Sequence, residues 1–150
     1  MPYSVIETLH RATAELVASG AAQKALKAGD KAPAFTLNDP DGQPVSSSDL
    51  LRQGPLVVTF YRGVWCPYCN MELQALQAAL PDIHNAGGRV AAISPQMAPN
   101  SRKSIRQHQL EFPILPDTHN DAAAASCLPS AFPAHLVKLS SPCTHVPPAF

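Results

Sequence analysis

The sequence predicts an α/β fold, a sheet with parallel strand pairing flanked by helices. Three observations predict it. Residues 55–61 and 90–94 are short apolar runs rich in β-branched residues, too short for helices and suited to strands buried on both faces, the first of them central. Residues 67–80 and 100–110 carry helical spacing. With a third short apolar run at 112–115, the order is strand, helix, strand, helix, strand, which parallel crossovers require.

Residues 3–28 read as an N-terminal helix. Val5, Ile6, Leu9, Leu16, Val17 and Leu26 recur at helical intervals, and Gly29 stops the run. Residues 29–37 are a short extended segment. Asp39-Pro40-Asp41-Gly42 is turn chemistry, so a small hairpin is expected there. Ser46 and Asp49 are spaced as a cap for a short helix ending near Leu51. The helix from 67 shows Met71, Leu73, Leu76 and Leu80 at its apolar positions and is expected to end at Pro81. The helix over 100–110 is polar, and Arg102, Lys103, Arg106 and His108 read as its solvated face.

After Asp121 the character changes. Residues 121–150 hold two charged residues, Asp121 and Lys138, no glycine and five prolines. Residues 122–125 could extend a helix and 135–139 form at most one weak strand. The expected organisation is therefore an N-terminal helical extension over 1–28, an α/β domain over 29–121 and an irregular tail over 122–150 that leaves the sheet without its final hairpin. A shift of reading frame in the coding sequence would account for such a break.

Composition narrows the function. The 150 residues carry 11 Lys+Arg against 11 Asp+Glu, and 45% are hydrophobic. A balanced charge does not ask for nucleic acid or an anionic membrane as partner. No run reaches the roughly 20 apolar residues of a membrane span. Residues 1–20 carry Glu7, Arg11 and Glu15 and lack the apolar core of a signal peptide. The expected address is the cytoplasm, where a close cysteine pair reads as catalytic or metal-binding rather than as a structural disulfide.

That pair is Trp65-Cys66-Pro67-Tyr68-Cys69, between a strand and a helix. A helix N-terminus offers unpaired N–H groups and a partial positive charge, and both favour the thiolate. Pro67 suits the first helical position. Two cysteines three apart at a helix start face the same way, as thiol–disulfide cycling requires. Arg62 adds a cation four residues before Cys66. A zinc site is the alternative. It needs two further ligands from Cys127, Cys143, His135 and His145, and none of these forms a second close pair. Cys127 and Cys143 read as incidental, and none of the six histidines reads as a ligand or base.

Several segments together resemble the peroxiredoxins, and more narrowly the AhpC/TSA-family proteins with a Trp-Cys-Pro-Tyr-Cys site. They are Gly29-Asp30-Lys31-Ala32-Pro33-Ala34-Phe35, the Asp41-Gly42 turn, Tyr61-Arg62-Gly63-Val64-Trp65-Cys66-Pro67-Tyr68-Cys69-Asn70, Ala92-Ile93-Ser94-Pro95-Gln96 and Phe112-Pro113-Ile114-Leu115-Pro116-Asp117. The resemblance spans about residues 1–120 and does not extend into the tail. It implies a thioredoxin-like, peroxiredoxin-type sheet. It also implies reduction of hydrogen peroxide and organic hydroperoxides without metal or organic cofactor, thioredoxin or a similar dithiol as reductant, and a homodimer as one assembly.

The family signature runs from a proline to a threonine and then to a peroxidatic cysteine. Laid on this chain, the proline position holds Arg62, the threonine position Cys66 and the peroxidatic position Cys69. The resemblance thus implies that Cys69 attacks peroxide and Cys66 resolves the product. The dithiol spacing also resembles thioredoxins, in which the first and more exposed cysteine attacks, so a thiol–disulfide oxidoreductase acting through Cys66 stays open. So does a redox sensor or an inactive remnant.

Overall fold

A computed structural model describes residues 3–128. In chain order the elements are α1 (Tyr3–Ala18), α2 (Ala21–Lys24), β1 (Thr36–Asn38), β2 (Pro44–Ser46), α3 (Ser47–Arg52), β3 (Leu56–Phe60), α4 (Pro67–Asn85), β4 (Arg89–Ser94), α5 (Ala98–His108), β5 (Ile114–Pro116) and α6 (Asp121–Ala125). The chain divides into two compact units. Residues Pro33–Ala122 form one, and α1 and α2 fall in the other.

The expected single helix over 3–28 is broken. Gly20 adopts φ 67°, a left-handed conformation that glycine enters without steric cost, and the chain restarts as α2. The apolar spacing continues across the break, which is why the sequence alone does not reveal it.

Within Pro33–Ala122 the expected parallel sheet is present. β3 pairs with β4 from Leu56↔Arg89 to Phe60↔Ile93, and β4 pairs with β5 from Ala92↔Ile114 to Ser94↔Pro116, both in parallel. The predicted hairpin forms as the antiparallel pair β1–β2. Asp39 organises its turn by accepting from the Asp41 and Gln43 N–H groups at 2.9 and 2.8 Å. Ser46 caps α3 as expected, accepting from the Asp49 N–H at 3.2 Å.

β4 lies between β3 and β5, and the alternation along it divides the core. Val90 and Ala92 face Leu73, Leu80, Leu110, Phe112 and Ile114, together with the two cysteines. Ala91 and Ile93 face Leu115 and Ala122, with Phe35, Leu37, Leu50, Leu56, Val58 and Phe60 packed around them. The apolar run of β3 predicts a central strand buried on both faces. Among the described residues β3 is instead an edge strand with β4 as its strand neighbour, and Val57 is 45% exposed. A continuous apolar run does not distinguish an edge from a centre.

α4 continues four residues past Pro81 to Asn85, contrary to the expected stop. Pro81 sits on the exposed face, where solvent can satisfy the carbonyl that loses its partner. The opposite face continues from Leu73, Leu76 and Leu80 to Ile83, all packed on the core. Packing across the proline outweighs the missing hydrogen bond. Arg102 is not merely solvated. It bonds Asp41 Oδ1 at 3.1 Å and the Pro40 carbonyl, tying α5 to the β1–β2 turn. His108 is also half-buried, with Nδ1 2.9 Å from Gln74 Nε2 on α4.

Asp117 accepts from the Asp121 and Ala122 N–H groups at 2.9 and 3.1 Å and so starts α6. The expected irregular tail and missing hairpin fall almost wholly on 129–150, outside the described residues.

Leu80 is 1% exposed and lies immediately before Pro81. Leu80→Ala is expected to cost about 2–5 kcal/mol through reduced burial and the cavity left behind. Urea unfolding measures it; a loss below about 1 kcal/mol would contradict the packing that carries the helix through the proline.

Candidate active site

The strand β3 delivers the chain to a tight loop, and the loop delivers it to the start of α4. Cys66 is the residue that caps α4, with φ −90° and ψ 110°. Its Sγ accepts from the Cys69 N–H at 3.3 Å, the role a serine or aspartate oxygen usually fills. Pro67 opens the helix, where its missing N–H costs nothing. Cys69 stands one turn on, its thiol donating to Cys66 Sγ at 2.6 Å. The two sulfurs therefore meet on one side of the helix start, and both cysteines are free thiols.

The loop is held from several sides. The Cys66 N–H donates to the Gly63 carbonyl at 3.0 Å. Gly63 has φ 144°, and a Cβ there would stand 2.9 Å from Trp65 Nε1 and 3.3 Å from Gln96 Oε1, so the position needs glycine. Val64 is held at both ends of its backbone: its N–H donates to Gln96 Oε1 at 2.8 Å and its carbonyl accepts from Asn70 Nδ2 at 3.0 Å. Arg62 places Nη2 3.3 Å from Cys66 Sγ, and its guanidinium lies 5.4 Å from the centre of the Trp65 ring.

These contacts divide the pair electrostatically. Burial works against ionisation of Cys66. The hydrogen bonds from the Cys69 thiol, the Cys69 N–H and Arg62, with the charge of Arg62, outweigh it and hold the Cys66 thiol below its ordinary value. Burial pushes the Cys69 thiol up, and the hydrogen bond and charge of Cys66 push it further; the backbone and side chain of Arg62 oppose this without prevailing. Ionisation of the reduced pair therefore begins at Cys66, and Cys69 holds its proton longer. A helix terminus alone is worth only about 0.3–2 kcal/mol to an anion. An ion taken out of water loses several kcal/mol. Arg62 and the second thiol are therefore needed to keep the charge in place.

One expectation is reversed. As the first of the pair, Cys66 is expected to be the more exposed cysteine. It is 0% exposed and Cys69 is 8%, because the capping geometry folds Cys66 Sγ back over the helix end. Cys127 is exposed, and Cys143, His135 and His145 lie outside the described residues. Gln96 and Asn70 have site roles that the sequence does not reveal, although each sits in a recognised motif. Nothing in their spacing marks them, since both act through the backbone of a residue distant in sequence or on a preceding loop.

The fold and site together define an α/β domain of thioredoxin type with a dithiol at a helix start. The AhpC/TSA family pattern matches residues 28–131, and the chain belongs to that family. A Mycobacterium tuberculosis protein whose name assigns it to the peroxiredoxins is 39% identical over 101 residues, covering 67% of this chain and 63% of that protein. Peroxiredoxin Bcp of Escherichia coli is 34% identical over 92 residues, covering 61% of this chain and 58% of that one. The crystal structure of peroxidoxin BcpB from Mycobacterium tuberculosis superposes with a TM-score of 0.68 at 25% identity, over 71% of this chain and 70% of that chain. The matches thus take in about three fifths of the length of these two sequence relatives.

Both influences of Cys66 on Cys69 raise the latter's thiol. In reduced Cys66→Ser, Cys69 is therefore expected to ionise at lower pH than in the parent protein. Thiolate absorbance followed against pH measures this. An unchanged or higher midpoint for Cys69 would contradict the assignment of charge within the pair.

Proposed function

We propose that the chain is a thiol-dependent peroxidase of peroxiredoxin type, acting on hydrogen peroxide and organic hydroperoxides through Cys66 and Cys69. The observation that carries this reading is the contact of the two sulfurs at the start of α4, with Arg62 on Cys66. Cys69 is the attacking thiol, being the more accessible of the two. As its sulfur attacks the O–O bond, its proton passes to Cys66 Sγ across the existing hydrogen bond. Cys69 becomes a sulfenic acid, and the departing alkoxide or hydroxide takes a proton from solvent. The Cys66 thiol then condenses with the sulfenic acid, forming the Cys66–Cys69 disulfide and releasing water. Thioredoxin or a similar dithiol returns the pair to the reduced state by exchange. A reducing compartment such as the cytoplasm suits the cycle.

A second reading has a specific observation in its favour. The charge rests on Cys66, which is the arrangement a thiol–disulfide oxidoreductase needs if its first cysteine attacks a protein disulfide. Access argues against it, since Cys66 is fully buried.

Mass mapping after addition of hydrogen peroxide or an alkyl hydroperoxide to the reduced full chain tests the proposal, with fluorescence of Trp65, the one tryptophan, reporting the rate. The expected product is the Cys66–Cys69 disulfide. In Cys66→Ser, Cys69 is expected to give a sulfenic acid that dimedone traps, with turnover slowed for want of the resolving thiol; in Cys69→Ser, little reaction is expected. Dimedone labelling at Cys66 and never at Cys69, or a mixed disulfide trapped at Cys66 in Cys69→Ser, would favour the second reading. No oxidation of either thiol by peroxide would remove the first.

A further inference from the structure

Behind the redox loop lies a buried polar cluster that the chemistry above leaves unused. Gln96 is 4% exposed, Tyr61 4%, Ser94 1%, and Ser101 and Ser104 are 0%. Gln96 joins them: Nε2 lies 2.6 Å from Tyr61 Oη, 3.3 Å from Ser101 Oγ and 3.5 Å from Ser104 Oγ. Its own N–H donates to Ser94 Oγ at 3.3 Å. Its Oε1 faces the other way and accepts from the Val64 N–H at 2.8 Å. A buried amide of this kind is costly unless its polar atoms are satisfied. Here each end has a partner, and the two ends belong to different parts of the protein. One is the rigid junction of β3, β4 and α5; the other is the loop that presents Arg62 and Cys66.

We propose that Gln96 is a positioning residue for the dithiol, fixing the Val64 peptide to the buried Tyr61–Ser101–Ser104 cluster so that the loop holds Arg62 against Cys66 Sγ. Gln96 touches neither sulfur. It acts through a chain of backbone: Val64 is adjacent to Gly63, whose carbonyl accepts from the Cys66 N–H, and Gly63 is adjacent to Arg62. Asn70 holds the carbonyl of the same Val64 from α4, so the residue is fixed against both the helix and the sheet. Without the hydrogen bond to Gln96, Val64 keeps only the restraint from Asn70, and the guanidinium is freed to leave the sulfur for the exposed side of the loop. Tyr61 stays neutral throughout: burial pushes its hydroxyl up to about 12, with hydrogen bonds from Ser104 and Ser94 opposing. The cluster therefore anchors Gln96 without contributing a charge of its own. The inference rests on the redox reading of Cys66 and Cys69 for its significance, but its test does not require turnover.

The test uses the reduced full chain carrying Gln96→Met, which keeps the length of the side chain and removes its hydrogen bonds, and separately Tyr61→Phe, which removes only the hydroxyl that anchors the amide. Thiolate absorbance against pH and thermal melting are recorded for both, with Leu80→Ala, farther along α4 in the same core, as a control for general loss of packing. Gln96→Met is expected to raise the pH at which the first thiolate appears by about one unit, a tenfold loss of thiolate at a pH below both midpoints. Tyr61→Phe is expected to shift it in the same direction by less, and Leu80→Ala to melt lower with the midpoint unmoved. A Gln96→Met protein that melts lower but keeps the parental midpoint would overturn the inference, as would Leu80→Ala moving the midpoint equally. If Gln96→Met does not fold, Tyr61→Phe decides by the same criterion. A shifted midpoint in a protein whose parent never reacts with peroxide would support the positioning role and remove the peroxidase reading.

Discussion

Unequal ease of ionisation in two buried, adjoining thiols is the constraint around which this site is built. A thiolate at the end of a helix is stabilised by the helix only modestly. Burial opposes it more strongly. The chain resolves the conflict by gathering three donors on Cys66 Sγ: the Cys69 N–H, the Cys69 thiol and Arg62. Two depend on α4 and the third on the loop before it. The N–H depends on α4 starting at Pro67, the thiol on the helical turn that brings residue 69 beside residue 66, and Arg62 on the loop that follows β3. The sheet places that loop, and the packed face of α4 fixes the helix against the sheet.

Substitution at the threonine position gives the site its particular character. The family signature implies a hydroxyl there; this chain supplies a second sulfur that caps the helix, accepts the proton of its neighbour and lies within bonding reach of it. In the proposed cycle one residue then serves as helix cap, proton acceptor and resolving thiol. The cost is that the thiol most easily ionised is also the less accessible of the two, so the proposed reaction at Cys69 is coupled to movement of its proton to the neighbouring sulfur.

Much of this is legible in the sequence, and the reasons are local. The strand–turn–helix placement of Cys66 and Cys69 follows from a β-branched run, a proline suited to the first helical position and a helical repeat after it. The hairpin and the cap at Ser46 follow from turn and capping chemistry confined to a few residues. What the sequence hides depends on contacts between distant segments. Pro81 reads as a stop until Ile83 is seen packing beyond it. Residues 3–28 read as one helix because the apolar spacing runs on across Gly20. Residues 55–61 read as a central strand because apolar content reports burial and not neighbours. The roles of Gln96 and Asn70 rest on single hydrogen bonds to one peptide group, a pattern with no periodicity at all. The relative exposure of the two cysteines is misleading in the sequence because position along the helix suggests one order, whereas the capping rotation of Cys66 imposes the other.

The most direct measurement of the central claim is a pH titration of the reduced wild-type protein with isotope-labelled cysteine, following the Cβ resonance of each residue by NMR. Cys66 is expected to titrate first, below the ordinary value of a thiol, and Cys69 in a separate step above it. Two cysteines titrating together near the ordinary value, or Cys69 ionising before Cys66, would contradict it.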